Sequence, residues 1–245
     1  MKLITLNTWC GTLYEPLKTF IENHSKDTDI FCFQEVRNGE YINQPKEINE
    51  RVELFNEMKS MLLDFTGYFS EMAPGVGIAT FVRNTTKVND VKSTQILTTE
   101  DTSHIKMPSG NSYYPRLMQS TYTENPKLIV HNFHGIPGRF KKDTQERELQ
   151  TNRLLEIINN GNGPQILVGD FNLDLNTEAI SNLESRMKNL IKENGIKFTR
   201  NSRYKDYKML PFADYIFISK DIEVTNFEVL QDEVSDHLAL LLEFK

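Results

Sequence analysis

The sequence predicts an α/β fold in which two stacked sheets lie between outer helices. Three observations carry that expectation. Strand-like runs recur at 2–8, 29–35, 67–72, 77–83, 88–97, 116–123, 127–134, 165–171, 214–219, 222–230 and 238–244. Several are apolar on both faces, such as Ile30-Phe31-Cys32-Phe33 and Leu238-Ala239-Leu240-Leu241-Leu242, which suits sheets covered on both sides. Helical signals fall between the strands, while several strand pairs follow one another directly.

The helices follow from apolar spacing. Residues 15–24 place Leu17, Phe20 and Ile21 on one stripe, and 47–63 carry Ile48, Leu54, Phe55, Met58, Met61 and Leu62. Residues 143–159 open at Asp143 or Thr144 as a cap, with Glu146 three after Asp143, and bury Leu154, Leu155 and Ile158. A fourth helix over 180–194 stops before Gly195. Loops are expected at 36–46, 99–115 and 199–212. No long linker, low-complexity tract or repeat divides the 245 residues, which read as one domain, 1–245.

Composition narrows the function classes. Hydrophobic residues at 38% and charged residues at 25% are ordinary for a soluble globular protein with a large core. A net charge of −6 argues against a protein that grips nucleic acid with its whole surface, though not against a local basic groove. Met1-Lys2-Leu3-Ile4-Thr5-Leu6-Asn7 reads as a first strand rather than a signal peptide, and no apolar run reaches the roughly 18–20 residues of a membrane span. Cys10 and Cys32 alone make no disulfide framework. The expectation is a cytoplasmic monomer with no membrane span and no evident protein partner.

Polar residues at strand ends point to chemistry. Lys2-Leu3-Ile4-Thr5-Leu6 ends in Asn7, Ile30-Phe31-Cys32-Phe33 in Gln34-Glu35, and Leu128-Ile129-Val130 leads to Asn132 and His134. Gln165-Ile166-Leu167-Val168 runs into Gly169-Asp170-Phe171-Asn172; Asp214 and Asp236-His237 precede two further strands. A carboxylate or amide at a buried strand edge is costly without partners. Six such ends suggest one shared partner, most simply a hard cation and the phosphate it holds. Glu35 and Asn7 offer oxygen ligands suited to Mg²⁺ or Mn²⁺. Two cysteines far from a paired histidine motif give no soft zinc site. Asn132 shares a strand face with His134 and is expected with it at the phosphate, and Asp170 shares one with Asn172. A carboxylate can take a proton from water while an adjacent amide holds phosphate. Asp214 can raise the pKa of His237, giving an imidazolium for phosphate. Each feature alone also has a bland explanation: a solvated strand end, an Asx turn or a polar turn.

Together, Leu6-Asn7-Thr8-Trp9, Phe33-Gln34-Glu35-Val36, Asn132-Phe133-His134, Gly169-Asp170-Phe171-Asn172, Ala213-Asp214-Tyr215-Ile216-Phe217 and Ser235-Asp236-His237 resemble the endonuclease/exonuclease/phosphatase superfamily. They occur in family order across residues 7–237. The resemblance implies a four-layer α/β sandwich of the DNase I-like type, with mainly antiparallel sheets, and Mg²⁺- or Mn²⁺-dependent hydrolysis of phosphoesters. It implies Glu35 as main metal ligand, Asn7 helping and Asp236 as a second ligand. Asp170 becomes the general base, Asn172 and His134 phosphate contacts, and Asp214 the partner of His237. One departure is Gly135 after the strand-end histidine, where many relatives carry Leu.

The loops bear on the substrate. Gly135-Ile136-Pro137-Gly138-Arg139-Phe140-Lys141-Lys142 is a basic loop that can bring Arg139 to phosphate. Residues 199–209 interleave four cationic residues with two tyrosines, and Arg203 among them is expected at the phosphate. Basic and aromatic side chains together suit a nucleic-acid strand, DNA or RNA; a solvated loop explains the same composition. The sequence therefore favours a nuclease or phosphodiesterase on nucleic acid. The alternatives are hydrolysis of a small molecule or lipid head group, such as an inositol phosphate or sphingomyelin, and an inactive binding module of the same fold.

Overall fold

Strand chemistry and helix caps set the order of elements. The computed structural model describes residues 1–39, 49–105, 114–138 and 140–245. Among them the strands are β1 (Lys2–Asn7), β2 (Ile30–Arg37), β3 (Phe65–Ala73), β4 (Val76–Arg83), β5 (Val88–Leu97), β6 (Arg116–Thr123), β7 (Leu128–His134), β8 (Gln165–Asp170), β9 (Lys188–Asn189), β10 (Asp214–Ile218), β11 (Val224–Val229) and β12 (Leu240–Phe244). The helices are α1 (Tyr14–His24), α2 (Leu54–Met61), α3 (Thr99–Thr102), α4 (Gln145–Asn160), α5 (Glu178–Glu184) and α6 (Leu190–Glu193). The loops expected over 36–46 and 99–115 lie partly outside the described residues.

The strands form two six-stranded sheets, ordered β11-β12-β1-β2-β4-β3 and β5-β6-β7-β8-β10-β9. Each is antiparallel except for one central pair, β1 with β2 and β7 with β8. A parallel pair needs a crossover, and α1 and α4 supply the two. The central pairs face each other, so the carboxyl ends of four parallel strands meet at one edge of the sandwich. Open α/β sheets place their ligand crevice outside such ends.

Alternation along β2 shows how the layers form. Phe31 and Phe33 turn outward and pack with Leu17, Phe20 and Ile21 of α1 and Leu54 and Met58 of α2. Ile30 and Cys32 turn inward and join Leu3, Val130, Val168 and Ile216 between the sheets. Each fully buried apolar side chain of this size contributes about 1.5–3 kcal/mol. Near the carboxyl ends the inward positions become polar. Gln34 Nε2 donates to Thr5 Oγ1 at 3.1 Å and to Asn132 Oδ1 at 2.7 Å, and Asn132 Nδ2 donates to the Ala79 carbonyl at 3.0 Å. The sheets are thus joined by oil over most of their length and by hydrogen bonds at the crevice end.

Two helices differ from expectation. The helix expected over 47–63 is confined to α2, Leu54–Met61, with residues 49–53 not helical and Ile48 outside the described residues. Residues 180–194 are not continuous: α5 ends at Glu184, β9 pairs with β10, and α6 restarts at Leu190. The cause is Asn189, whose Oδ1 accepts from the Ile191 and Lys192 N–H groups at 3.1 and 3.4 Å. Asn favours caps over helix interiors for this reason. The capping expectation at 143–144 resolves similarly. Thr144 caps α4, while the Asp143 carboxylate caps α5 from outside, accepting from Glu178 and Ala179 N–H at 2.8 and 2.9 Å.

His131 turns away from the crevice and is 1% exposed, held between Ser120 Oγ at 2.8 Å and Gln165 Oε1 at 3.0 Å. Burial pushes its pKa down to about 4, against the opposing pull of the Gln165 bond. The native state therefore refuses a proton that the unfolded chain accepts below about 6.5. We expect this contribution to be complete above that pH and to weaken as pH falls toward 4, the folding equilibrium dropping about tenfold per pH unit. Denaturant titrations across pH 4–7 should show a slope in the wild type that is shallower by about one proton in His131→Gln, buried His134 supplying a similar contribution that remains.

Candidate active site

The crevice end is built around one oxygen. Asp170 closes β8, directly after Gly169, which has φ +133° and would drive a Cβ to 2.0 Å from the Phe133 carbonyl. Only glycine lets β7 and β8 approach this closely. Asp170 Oδ2 accepts from Asn7 Nδ2 at 3.0 Å and from Asn172 Nδ2 at 3.3 Å. His134 Nε2 lies 3.6 Å from it and His237 Nε2 3.7 Å. Strand register makes this possible: His134 and Asp214 are the Asp170 partners on its two neighbours. Gly135 serves the same closeness, since a Cβ there would meet the Phe171 carbonyl at 2.6 Å. A Leu at that position has no room.

Asn7 joins the two sheets. Its Nδ2 also donates to Glu35 Oε1 at 3.0 Å, and its Oδ1 accepts from the Trp9 N–H at 3.0 Å. Glu35 sits at a bulge in β2 with φ +52°, and a third of its side chain opens to the crevice. Burial first, then the charges of Asp236 and Asp170, raise its pKa against the Asn7 bond. Glu35, His134 and Asp170 bring ligand atoms within 4.8 Å of one another.

On the far side, His237 Nδ1 is 2.8 Å from Asp214 Oδ2. A carboxylate only accepts, so Nδ1 carries the proton. Burial alone would lower the His237 pKa, but Asp214, with Asp236 and Asp170 beyond it, raises it overall. For Asp170, burial works toward a higher pKa and is outweighed by His237, Lys141, His134 and Arg200, which hold the carboxyl well below its usual range. His134 is pushed down to about 3 by burial, with Arg116 adding to it, and is neutral.

Glu35, His134, Asp170, Asn172, Asp236 and His237 line a cavity of about 630 Å³ with Trp9, Cys10, Arg37, Glu50, Tyr114, Arg116, Lys141, Arg200 and Tyr204, while Asn7 and Asp214 bond to this wall from behind. A larger hollow of about 800 Å³ against α4 contains none of the strand-end acids; chemistry, not size, marks the site. Trp9, Cys10, Glu35, Lys141 and Asn172, the non-glycine residues with positive φ among those described, all line the smaller cavity. Such backbone costs of order 1–3 kcal/mol per residue and collects where structure is held for function.

Of the expected residues, Asn7, Glu35, His134, Asp170, Asn172, Asp214, Asp236 and His237 converge. Asn132 does not reach the cavity. It is fully buried and its amide serves the joint between the sheets. Arg203 points outward to Glu233 at 3.5 Å. Arg139 lies outside the described residues. Sequence reasoning gave no individual role to Arg37, Arg116, Lys141, Arg200 or Tyr204. Arg37 was reachable, since it follows Glu35 by two along β2. Lys141 was not, because its entry depends on a left-handed turn at φ +52°.

The sequence model described as "Endonuclease/Exonuclease/phosphatase family" matches residues 4–237, and the chain belongs to this family. Its members are generally phosphoester hydrolases. A UPF0294 protein of Vibrio vulnificus (strain CMCP6) is 30% identical over 142 residues, 57% of this chain and 46% of that protein, so the chain spans about half the length of the curated relatives it matches. Among solved structures, the mannosyl-6-phosphatase Bt3783 of Bacteroides thetaiotaomicron superposes with a TM-score of 0.74 at 17% identity, covering 100% of this chain and 99% of that one. The human nocturnin catalytic domain with a bound sulfate anion gives 0.67 at 19%, covering 100% and 93%. These likenesses show the DNase I-like fold, here with two mixed sheets.

Removing the Asn132 amide costs Gln34 Nε2 its shortest bond and takes a donor from the Phe33 and Ala79 carbonyls and the Thr80 hydroxyl in the interior. Asn132→Ala is expected to cost about 1–3 kcal/mol of stability while KM for any turned-over ester changes little. Denaturation and steady-state kinetics on the same variant check both halves.

Proposed function

We propose that the chain is a divalent-metal-dependent hydrolase that directs water onto the phosphorus of a phosphoester. The observation that supports it most is the gathering of Asn7, Asn172, His134 and His237 around Asp170 Oδ2, with Glu35 open beside them. The residues fit a hard cation. Burial first, and then the Asp236 and Asp170 carboxylates, raise the Glu35 pKa, a cost to its charge that a cation relieves. Glu35 would hold the ion, with Asn7 fixing its carboxylate and Asp236 at the rim. When bound, Mg²⁺ or Mn²⁺ supplies positive charge to phosphate oxygens as negative charge develops.

The protein side of the chemistry follows from the hydrogen bonds. Asp170, kept ionised by the surrounding cations, orients the attacking water and accepts its proton. Asn172 is fixed by its N–H on Asp170 Oδ1 at 2.8 Å, and its Nδ2 donates to the Gly135 carbonyl and Asp170 Oδ2, each at 3.3 Å; giving up one of these long bonds frees an N–H for phosphate. His134, neutral, offers Nε2–H to the same group. His237, held by Asp214, turns Nε2 into the cavity and neutralises charge in the transition state. The new P–O bond forms opposite the breaking one, and the leaving oxygen takes a proton from solvent.

A nucleic-acid strand finds less support than the loops suggested. Of the basic and aromatic stretch at 199–209, only Arg200 and Tyr204 line the cavity. They stack on each other, the guanidinium 3.8 Å from the ring centroid.

Bis-p-nitrophenyl phosphate and 4-nitrophenyl phosphate, with Mg²⁺ or Mn²⁺ and with chelator, test the proposal. We expect cation-dependent release of nitrophenol, lowered by about 10²–10⁴ in Asp170→Asn and His237→Ala with unfolding curves unchanged in shape. Near-normal turnover in either variant sinks the assignment. Absence of turnover on all esters, including abasic duplex, RNA, sphingomyelin and inositol phosphates, would favour a binding module.

A further inference from the structure

The described cavity wall is electrically balanced before any cation enters. Arg37, Arg116, Lys141 and Arg200 stand against Glu35, Glu50, Asp170 and Asp236. Behind them His237 and Asp214 pair with each other at 2.8 Å. A divalent ion then leaves two positive charges against a wall of buried side chains, where uncompensated charge is expensive. A ligand bringing two negative charges restores balance; one bringing a single charge does not. A phosphomonoester carries about −1.5 to −2 at neutral pH, whereas a diester within a polynucleotide carries one.

Lys141 is the cation least explained by its own surroundings. It is 3% exposed, and its Nζ donates to Asn172 Oδ1, a neutral acceptor. Its charge is answered only through space, by Asp170 and Asp214, carboxylates that it shares with His237 and Arg200. The loop that carries it is clamped. Its carbonyl accepts from Asp174 N–H at 2.8 Å. The Arg147 guanidinium bonds the Lys142 carbonyl, and the Asn172 carbonyl at 2.8 Å, tying loop to strand end. An ammonium held so firmly beside the amide assigned to phosphate is pre-organised for an anion that sits on both. The mouth of the same cavity is bordered by Trp9, Tyr114 and Tyr204, and Arg203 is drawn off to Glu233. That leaves no continuous described basic track leading away.

We infer that the cleft selects a terminal phosphate dianion, that of a phosphomonoester, and that Lys141 is the residue that reads the additional anionic oxygen a diester lacks. The inference rests on the hydrolase reading of the same site.

The test pairs kinetics with binding. In Lys141→Met, kcat/KM for 4-nitrophenyl phosphate should fall by about 10²–10³-fold, the usual cost of one oxyanion donor, and for bis-p-nitrophenyl phosphate by less than about tenfold. Equal losses, or a larger loss on the diester, overturn the inference. Calorimetry on the Mg²⁺-loaded wild type needs no variant. Inorganic phosphate should bind at least about tenfold tighter than dimethyl phosphate, and phosphate and Mg²⁺ should each tighten the other by the same factor. Equal affinity for the two anions overturns it as well. Turnover of the diester alone would defeat this inference and leave the hydrolase reading standing. Turnover of neither ester would defeat the hydrolase reading, and the binding comparison would still decide whether the cleft takes a dianion.

Discussion

The carboxamide of Asn7 holds the site together. It ends β1 in one sheet, and its two N–H bonds go to Glu35 in the same sheet and Asp170 in the other, both at 3.0 Å. Two carboxylates are thereby fixed across the junction of the sheets at a separation neither would choose alone. Everything else in the cavity is placed relative to them. Asn172, His134 and His237 arrange themselves around Asp170, and the bulge in β2 turns Glu35 toward the opening. Apolar packing could not set such distances, because it is non-directional. Hydrogen bonds between sheets can, and beneath the site Gln34 and Asn132 repeat the device one layer deeper.

Rigidity of that seam explains where strain is tolerated. The left-handed residues Trp9, Cys10, Glu35, Lys141 and Asn172 all surround the cavity. Strained backbone persists only when its surroundings over-determine it. Here they do: the Thr8 N–H and hydroxyl both bond the Gln34 carbonyl, the Gly135 N–H bonds the Asp170 carbonyl at 2.7 Å, and Arg147 pins the loop of Lys141. Large apolar clusters on both sides of the first sheet supply the stability that offsets this cost.

Much of this was legible in the sequence, for physical reasons. Strands buried on both faces leave long apolar runs, and a polar residue ending one stands out because it breaks the pattern at a cost. Glu35, Asp170 and the Asp214–His237 pair were readable in that way. Asn132 obeyed the same pattern but meant something else. It lies two residues before the strand end, deep enough for its amide to be taken by the opposite sheet. The break at Asn189 was masked because its apolar neighbours keep helical spacing. Lys141 and Arg200 were visible only as charge in loops, since backbone conformation decides whether a loop cation faces solvent or a cavity. Arg203, three residues beyond Arg200, went the other way.

The central claim is that acidic groups are held in mutual repulsion for a divalent cation. The melting temperature of the metal-free protein during titration with Mg²⁺ or Mn²⁺ tests it most directly, in the wild type and in Glu35→Gln. The account predicts a saturable rise in the wild type, as expected when a ligand binds only the folded state. It also predicts that Glu35→Gln melts about 2–4 °C higher without metal, because a like charge is gone, and no longer responds to the cation. A wild type indifferent to both cations, or a variant that responds equally, would contradict it.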